Sequence, residues 1–247
     1  MIALVGCGHV GFESGDGGGG GGGGPVTFDQ WTSSAESNVT GLGWTHTTAA
    51  GDVELLVYVA TRSSSIGAPA VSSITYGGAS LDQLAALCPN CTTSGINNYE
   101  MWALADPAPG TAAIAVTFAY EAQGASGIAS SYASDAPVTP DPVTTNSGIS
   151  TLPNLMWTPP AGARFAIAGA MDQGGYTMAL VAGTDQVLRS DSVCDDAEYE
   201  AQVFADQLAV GDGQQLTFSW TLGSGSGANC STGAPSHPWI AIGATFR

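Results

Sequence analysis

Along most of the chain apolar side chains recur at every second position, the period of a strand with one face buried. The clearest stretch runs from Ser73 to Tyr120. It holds four alternating apolar runs, joined by Gly77-Gly78, by a cysteine-bearing loop, and by Asp106-Pro107-Ala108-Pro109-Gly110. Turn residues between such runs predict two successive hairpins in an antiparallel sheet. In the last run Ile114, Val116, Phe118 and Tyr120 fall on one face, with Ala113, Ala115, Thr117 and Ala119 on the other. Large on one face and small on the other suits a strand packed against a second sheet.

Further strands are predicted over 26–31, 40–47, 53–61, 127–133, 163–171, 176–183, 214–222 and 238–246. Segment 53–61 is almost continuously apolar, as expected of a strand buried on both faces. In 214–222, Leu216, Phe218, Trp220 and Leu222 point inward while Thr217, Ser219 and Thr221 point to solvent. Three prolines in 136–148 mark a crossover or an edge strand. Segment 197–209 is in conflict with itself. Its residues are good helix formers, yet alternation sets Tyr199, Ala201, Val203 and Ala205 on one side, and we read it as a strand. A Val-Gly-Asp-Gly turn at 210–213 would then join it to 214–222 as a hairpin. The expected fold is all-β: a two-layer antiparallel β-sandwich of jelly-roll type with roughly a dozen strands. It occupies 26–247 as a single domain.

Residues 1–25 have another character. Leu4-Val5-Gly6-Cys7 resembles the bacterial lipobox, in which a short apolar run ends in a small residue before a cysteine that becomes lipidated. Met1 to Gly6 is too short for a secretory leader, so the true start is expected upstream. Unbroken glycine from Gly17 to Gly24 cannot bury apolar surface. Residues 8–25 would form a flexible tether reaching roughly 25 Å. Lipid, tether and compact domain together predict an extracellular, surface-displayed protein held to a bacterial membrane by Cys7. No apolar run is long enough for a spanning helix, so membrane contact is expected only through that anchor.

WTHT (44–47), LLVYVATR (55–62), SITYGGASLDQLA (73–85), YEMWALADPAPGTAAIAVTF (99–118) and PWIAIGATFR (238–247) occur in this order. Together they resemble a β-sandwich domain of bacterial secreted and surface lipoproteins and phage-tail-associated proteins, over most of 40–247. The resemblance implies a jelly-roll sandwich in an extracellular setting. It implies no enzyme activity, and no functional residue follows from it.

Charge narrows the partners. Twenty-one carboxylates face four cations, Arg62, Arg164, Arg189 and Arg247, for a net charge of −17 at pH 7. Such a surface repels phosphate backbones, so nucleic acid is not an expected partner. The chain has no lysine, which excludes Schiff-base chemistry. Neither a Gly-x-Ser-x-Gly nor a His-Glu-x-x-His motif is present, and His9, His46 and His237 are scattered. A triad built on His46 is compatible with the sequence; a structural histidine is the simpler reading. No catalytic residue is assigned.

Cys88 and Cys91 have the spacing of a redox or zinc pair, but Cys194 and Cys230 are too far apart to supply a second zinc pair. Disulfides are expected instead: Cys194–Cys230, because a hairpin of 199–209 with 214–222 would bring the loops before and after it to the same end, and then Cys88–Cys91. Asp191, Asp195, Asp196 and Glu198, with Glu200, form an acidic loop that suits calcium or is simply solvated. No other cofactor is expected. The six tryptophans are expected to be mostly core, any exposed one being a platform for sugar. Asn38, Asn90 and Asn229 lie in glycosylation sequons. The function expected is a non-catalytic module binding a glycan or a surface protein. One alternative is a polysaccharide hydrolase or lyase, which needs two carboxylates about 5–10 Å apart in a groove. The other is a subunit of an extracellular or tail-like assembly, which would show an apolar patch on a sheet edge or face. No motif encodes the ligand or the oligomeric state.

Protein taken from its native cell is expected to carry acyl chains on Cys7 as its first residue, read by mass spectrometry. An unmodified Met1 N-terminus would exclude the anchor.

Overall fold

In the computed structural model, the described residues are 24–63, 71–89, 96–181, 183, 185–194, 201–228, 230–232 and 236–247. Among them the backbone forms strands and no helix. In chain order they are β1 Thr27–Thr48, β2 Asp52–Ser63, β3 Val71–Tyr76, β4 Ala79–Ser80, β5 Asp82–Leu87, β6 Ile96–Ala105, β7 Gly110–Ala133 and β8 Thr144–Ser150. There follow β9 Asn154–Trp157, β10 Phe165–Asp172, β11 Met178–Leu180, β12 Gln186–Leu188, β13 Val193–Cys194, β14 Ala201–Gln207, β15 Leu216–Leu222 and β16 His237–Phe246. The first sheet has the order β4-β3-β7-β2-β6-β5, with β1 also on β7. The second is β12-β14-β10-β16-β8, with β13 also on β14, and the third is β11-β15-β9. Every ladder is antiparallel. The chain is an all-β sandwich.

Residue size along the strands decides how the layers stack. In β2, Leu56, Tyr58 and Ala60 face the second sheet, while Leu55, Val57 and Val59 enter a separate cluster on the opposite side. In β10, Phe165, Ile167 and Met171 meet the first sheet, while Ala166, Ala168 and Ala170 meet the third. Strand β16 repeats this with Ile240 and Ile242 against Trp239 and Ala241. The large side chains fill the interface between the two big sheets. The alanines let Leu155, Phe218, Trp220 and Leu222 of the third sheet come close on the far side. The first sheet encloses its own cluster by curling. The first half of β7 pairs with β3 and its second half with β2, and both halves line one interior with Leu42, Ile74 and Trp102.

Of the connections after Ser73, Gly77-Gly78 closes the hairpin β3–β4 and the cysteine-bearing loop closes β5–β6. The turn at 106–110 makes no hairpin: β6 pairs with β2 and β5, and β7 with β1, β2 and β3. Run 80–87 is divided between β4 and β5 at Leu81. The runs 26–31 and 40–47 are one strand, β1, as are 112–120 and 127–133, β7. The small and polar residues between them have no apolar alternation, but the two stretches pair with each other and so remain extended. Tyr120 does not follow Phe118 inward. It is 63% exposed, opposite the bulge between Val39 and Gly41 where the ribbon changes register. Segment 136–148 ends in an edge strand, β8.

Segment 197–209 is strand at β14, but the hairpin with β15 is not formed. Strand β14 pairs with β10, β12 and β13, whereas β15 pairs with β11 and β9 in another layer. The turn at 210–213 is a crossover between sheets. Cys194 and Cys230 are nevertheless bonded, with Cα atoms 5.5 Å apart. Their meeting has another cause. After β15 the chain runs back beside 175–177 and 192, through bonds from Thr177 N–H to Ser231 O (3.0 Å) and from Ser192 N–H to Ser226 O (2.8 Å). The bridge therefore ties the β13 edge of the second sheet to the segment that leaves the third.

Tyr58 and Tyr99 stack at 5.7 Å inside the main interface, directly over Gly169 of β10. A Cβ at 169 would run into the Tyr99 hydroxyl and the edge of the Tyr58 ring. Gly169→Ala is expected to cost about 1–3 kcal/mol by overpacking, read as a lower denaturation midpoint at unchanged slope. A midpoint equal to that of the parent would mean that this contact does not limit the packing.

Candidate functional site

The open end of the curled first sheet gathers polar side chains that the sequence scatters. His46 is 1% exposed. Its Nδ1 lies 2.8 Å from Thr32 Oγ1 and its Nε2 lies 3.2 Å from Ser131 Oγ. Ser131 donates to Asp29 Oδ2 at 3.1 Å, and Trp44 Nε1 donates to Thr32 Oγ1 at 3.1 Å. These bonds fix a direction. Because the Ser131 proton goes to Asp29, His46 must donate from Nε2 and accept from Thr32 at Nδ1. The chain of donors runs Trp44, Thr32, His46, Ser131, and ends on the exposed Asp29 carboxylate.

Serine, histidine and aspartate are thus brought together, but in the wrong order for acyl transfer. A nucleophilic serine gives its proton to histidine, and aspartate orients the far ring nitrogen. Here the aspartate holds the serine, threonine holds the ring, and Ser131 is fully buried. Burial lowers the His46 pKa to about 4, against the opposing pull of Asp29, so the ring is neutral. Asp52 completes the group. Burial first, then the neighbouring Asp29, raises its pKa to about 6, although the Ala49 N–H donates to it at 2.7 Å. Asp52 Oδ1 is buried and has no hydrogen-bond partner among the described residues.

Other buried carboxyls serve the fold. Glu100 accepts from Val71 N–H (2.9 Å), Gln83 Nε2 (2.6 Å), Trp102 Nε1 (3.0 Å) and Asn98, joining three strands. Burial raises its pKa against those four donors. Asp206 pairs with Arg189 at 2.8 Å between the big sheets and accepts from Tyr132 at 3.3 Å. Asp172 caps the turn after β10 through Gly174 and Tyr176 N–H (2.8 and 3.0 Å) and faces His237 Nδ1 at 3.4 Å.

A different surface is built on the third sheet. Its outward side chains are Met156 beside Thr217, Asn154 beside Ser219, and Ala179 beside Thr221. None carries a charge. At its margin a cleft of about 190 Å³ is lined by Gly183, Gln186, Gln207, Gln214, Gln215, Leu216 and Thr217. Gln186 Nε2 donates to Thr217 O at 3.0 Å, and Gln207 Nε2 to Ala209 O at 3.0 Å, so both amides are held in place. Gln186 Oε1 is buried and accepts no hydrogen bond among the described residues.

The residues singled out in the sequence are spread over the molecule. Cys7, Cys91, Asp195, Asp196 and Glu198 lie outside the described residues. Cys88 is disulfide-bonded to a partner outside them. Asp191 is exposed and accepts from Ser226 Oγ at 2.5 Å. No tryptophan is exposed: Trp102, Trp220 and Trp239 are buried and Trp31, Trp44 and Trp157 half-buried. A stacking platform on tryptophan is therefore not what this surface offers. The glutamines escaped the sequence reading because they come from separate elements and form no motif.

No known family matches the chain, and no curated protein does either. One solved structure similar in outline is a conserved protein of unknown function from Pseudomonas aeruginosa, at 13% identity over 87% of this chain and 79% of that one, with a TM-score of 0.28. An anti-sigma factor domain-containing protein follows at 8% identity, 84% and 77% coverage and a TM-score of 0.21. Scores this low carry no argument about function.

Burial first, and then Asp106, raises the pKa of Glu54 from 4.5 to about 8, and its Oε2 has no partner among the described residues. The folded state keeps this proton while the unfolded chain loses it above pH 4.5. Stability is therefore complete below that pH and falls as pH rises toward 8. The loss is on the order of 3 kcal/mol at neutral pH. Glu54→Gln is expected to match the parent near pH 4 and exceed it at pH 8 in chemical denaturation. No gain at pH 8 would show that Glu54 ionises without cost. His46 works in the opposite sense, its contribution being lost as pH falls from 6.5 to about 4.

Proposed function

We propose that this chain is an extracellular, non-catalytic binding module that takes a neutral glycan in the glutamine-lined cleft. The observation that carries the reading is Gln186 Oε1, a buried acceptor without a partner among the described residues, set among further amides at the margin of an uncharged sheet face. A buried acceptor left unmade costs about 1–3 kcal/mol. A sugar hydroxyl supplies the missing donor and accepts from a neighbouring amide at the same time. The net charge of −17 disfavours anionic ligands at the same surface. Cys194–Cys230 suits an oxidising, extracytoplasmic compartment, and an anchor at Cys7 would display the cleft at the end of the glycine tether.

On a glycan array the chain is expected to retain neutral oligosaccharides and not sulfated or uronic ones. Gln186→Ala should weaken the retained ligand about tenfold, the worth of one lost hydrogen bond, with the circular dichroism spectrum of the parent. Retention of anionic glycans alone, or of none, would overturn the reading.

A further inference from the structure

Strands β8 and β9 are edges of the second and third sheets, each paired on one side only, with β16 and with β15. They are consecutive in the chain, so two sheet edges converge at one corner. Three of the exposed large apolar side chains are found there: Ile149 at 72%, Leu152 at 51% and Met156 at 51%. The corner is a built surface. Asn146 Nδ2 donates to Asn154 O at 3.0 Å, clasping one edge to the other. Leu152 N–H donates to Ser150 Oγ at 3.2 Å and Asn154 Nδ2 donates back to Leu152 O at 3.3 Å, holding the connection that presents Leu152.

We propose that this corner is the surface through which two copies of the chain associate about a two-fold axis. Charge selects the occupant. From Pro142 to Ala163 no residue is charged, in a chain whose net charge is −17. A cationic partner would be drawn to the acidic surface and has no use for such a gap. A second copy carries the same −17 and needs a place where carboxylates do not face carboxylates. Geometry agrees with charge. An antiparallel edge brought against itself by a two-fold axis is self-complementary, each contact being made twice. The devices that usually blunt an edge, inward charges, lysine or proline within the strand, are absent from Thr144–Ser150. The one edge N–H met by its own strand's side chains is that of Ser147, served by Asn146 Oδ1 at 2.9 Å. Contact then rests on Ile149, Leu152 and Met156 as much as on backbone pairing. The inference does not rest on glycan binding, and either can fail without the other.

The test is sedimentation velocity on the full chain between about 1 and 100 µM, at low and at high salt. A dimer is expected that tightens severalfold as salt screens the repulsion between like-charged copies. Ile149→Glu with Leu152→Glu is expected to be monomeric throughout, with the melting temperature of the parent at a concentration where the parent is itself monomeric, because both side chains are already exposed. A chain that stays monomeric at the highest concentration and salt would overturn the proposal. So would a dimer that survives the double substitution, or one that weakens with salt, the sign of ion pairing on another surface.

Discussion

Two walls in this molecule are shared. The body of the first sheet separates the curled interior from the main interface, and the second sheet separates the main interface from the third sheet. A shared wall has no solvent face, so its strands must be apolar at both parities, and the sizes of the two sets fix the spacing of the layers. Strand β10 shows the constraint in one line: Phe165, Ile167 and Met171 on one side, alanine at 166, 168 and 170 on the other. Exchanging the sets would overfill the narrow interface and leave holes in the wide one. The stacked rings of Tyr58, Tyr99 and Phe204 and the glycine that admits them follow from that assignment.

Shared walls also explain where the polar groups went. A sandwich with solvent on both outer faces can keep its carboxylates outside. Here Glu54, Glu100, Asp172 and Asp206 lie on strands buried from both sides or at their ends, and each is a distinct solution to the same cost. Glu100 is surrounded by donors, Asp206 has a guanidinium, Asp172 has a turn, and Glu54 keeps its proton. His46 gives up its charge instead. Read this way, the polar end of the first sheet is a network that closes a core, and its resemblance to a hydrolytic triad is one of composition only.

Much of the architecture was legible because alternation is a local signal. The double-sided burial of 53–61, the one-sided strand at 214–222 and the hairpin across Gly77-Gly78 could all be read from side-chain period and turn residues alone. What could not be read depends on partners far away in the chain. Residues 32–39 form strand because β7 lies beside them, not because of their own pattern. The turn at 210–213 looks like a hairpin turn and acts as a crossover, since two adjacent strands each found better partners elsewhere. The Cys194–Cys230 bond was foreseen for a reason that does not hold. The candidate site was the least legible part. Glutamine has no strong preference of place, and four of them become a cleft only when β12, β14 and the approach to β15 are set side by side.

The longest ladder joins Thr27 to Ala133, the first described strand to one nearly halfway along the chain. A polypeptide delivered from its N-terminus would present β1 and β2 long before β7 could receive them. Among the described strands β3–β4, β5–β6 and β13–β14 have neighbours close in sequence, whereas β8 must wait for β16. Closure of the first sheet is thus postponed until β7 is made, and that of the second until β16, at the cost of slow assembly. Such a precursor stays threadable during synthesis. On the extracellular reading proposed above, late commitment to structure keeps the passage open.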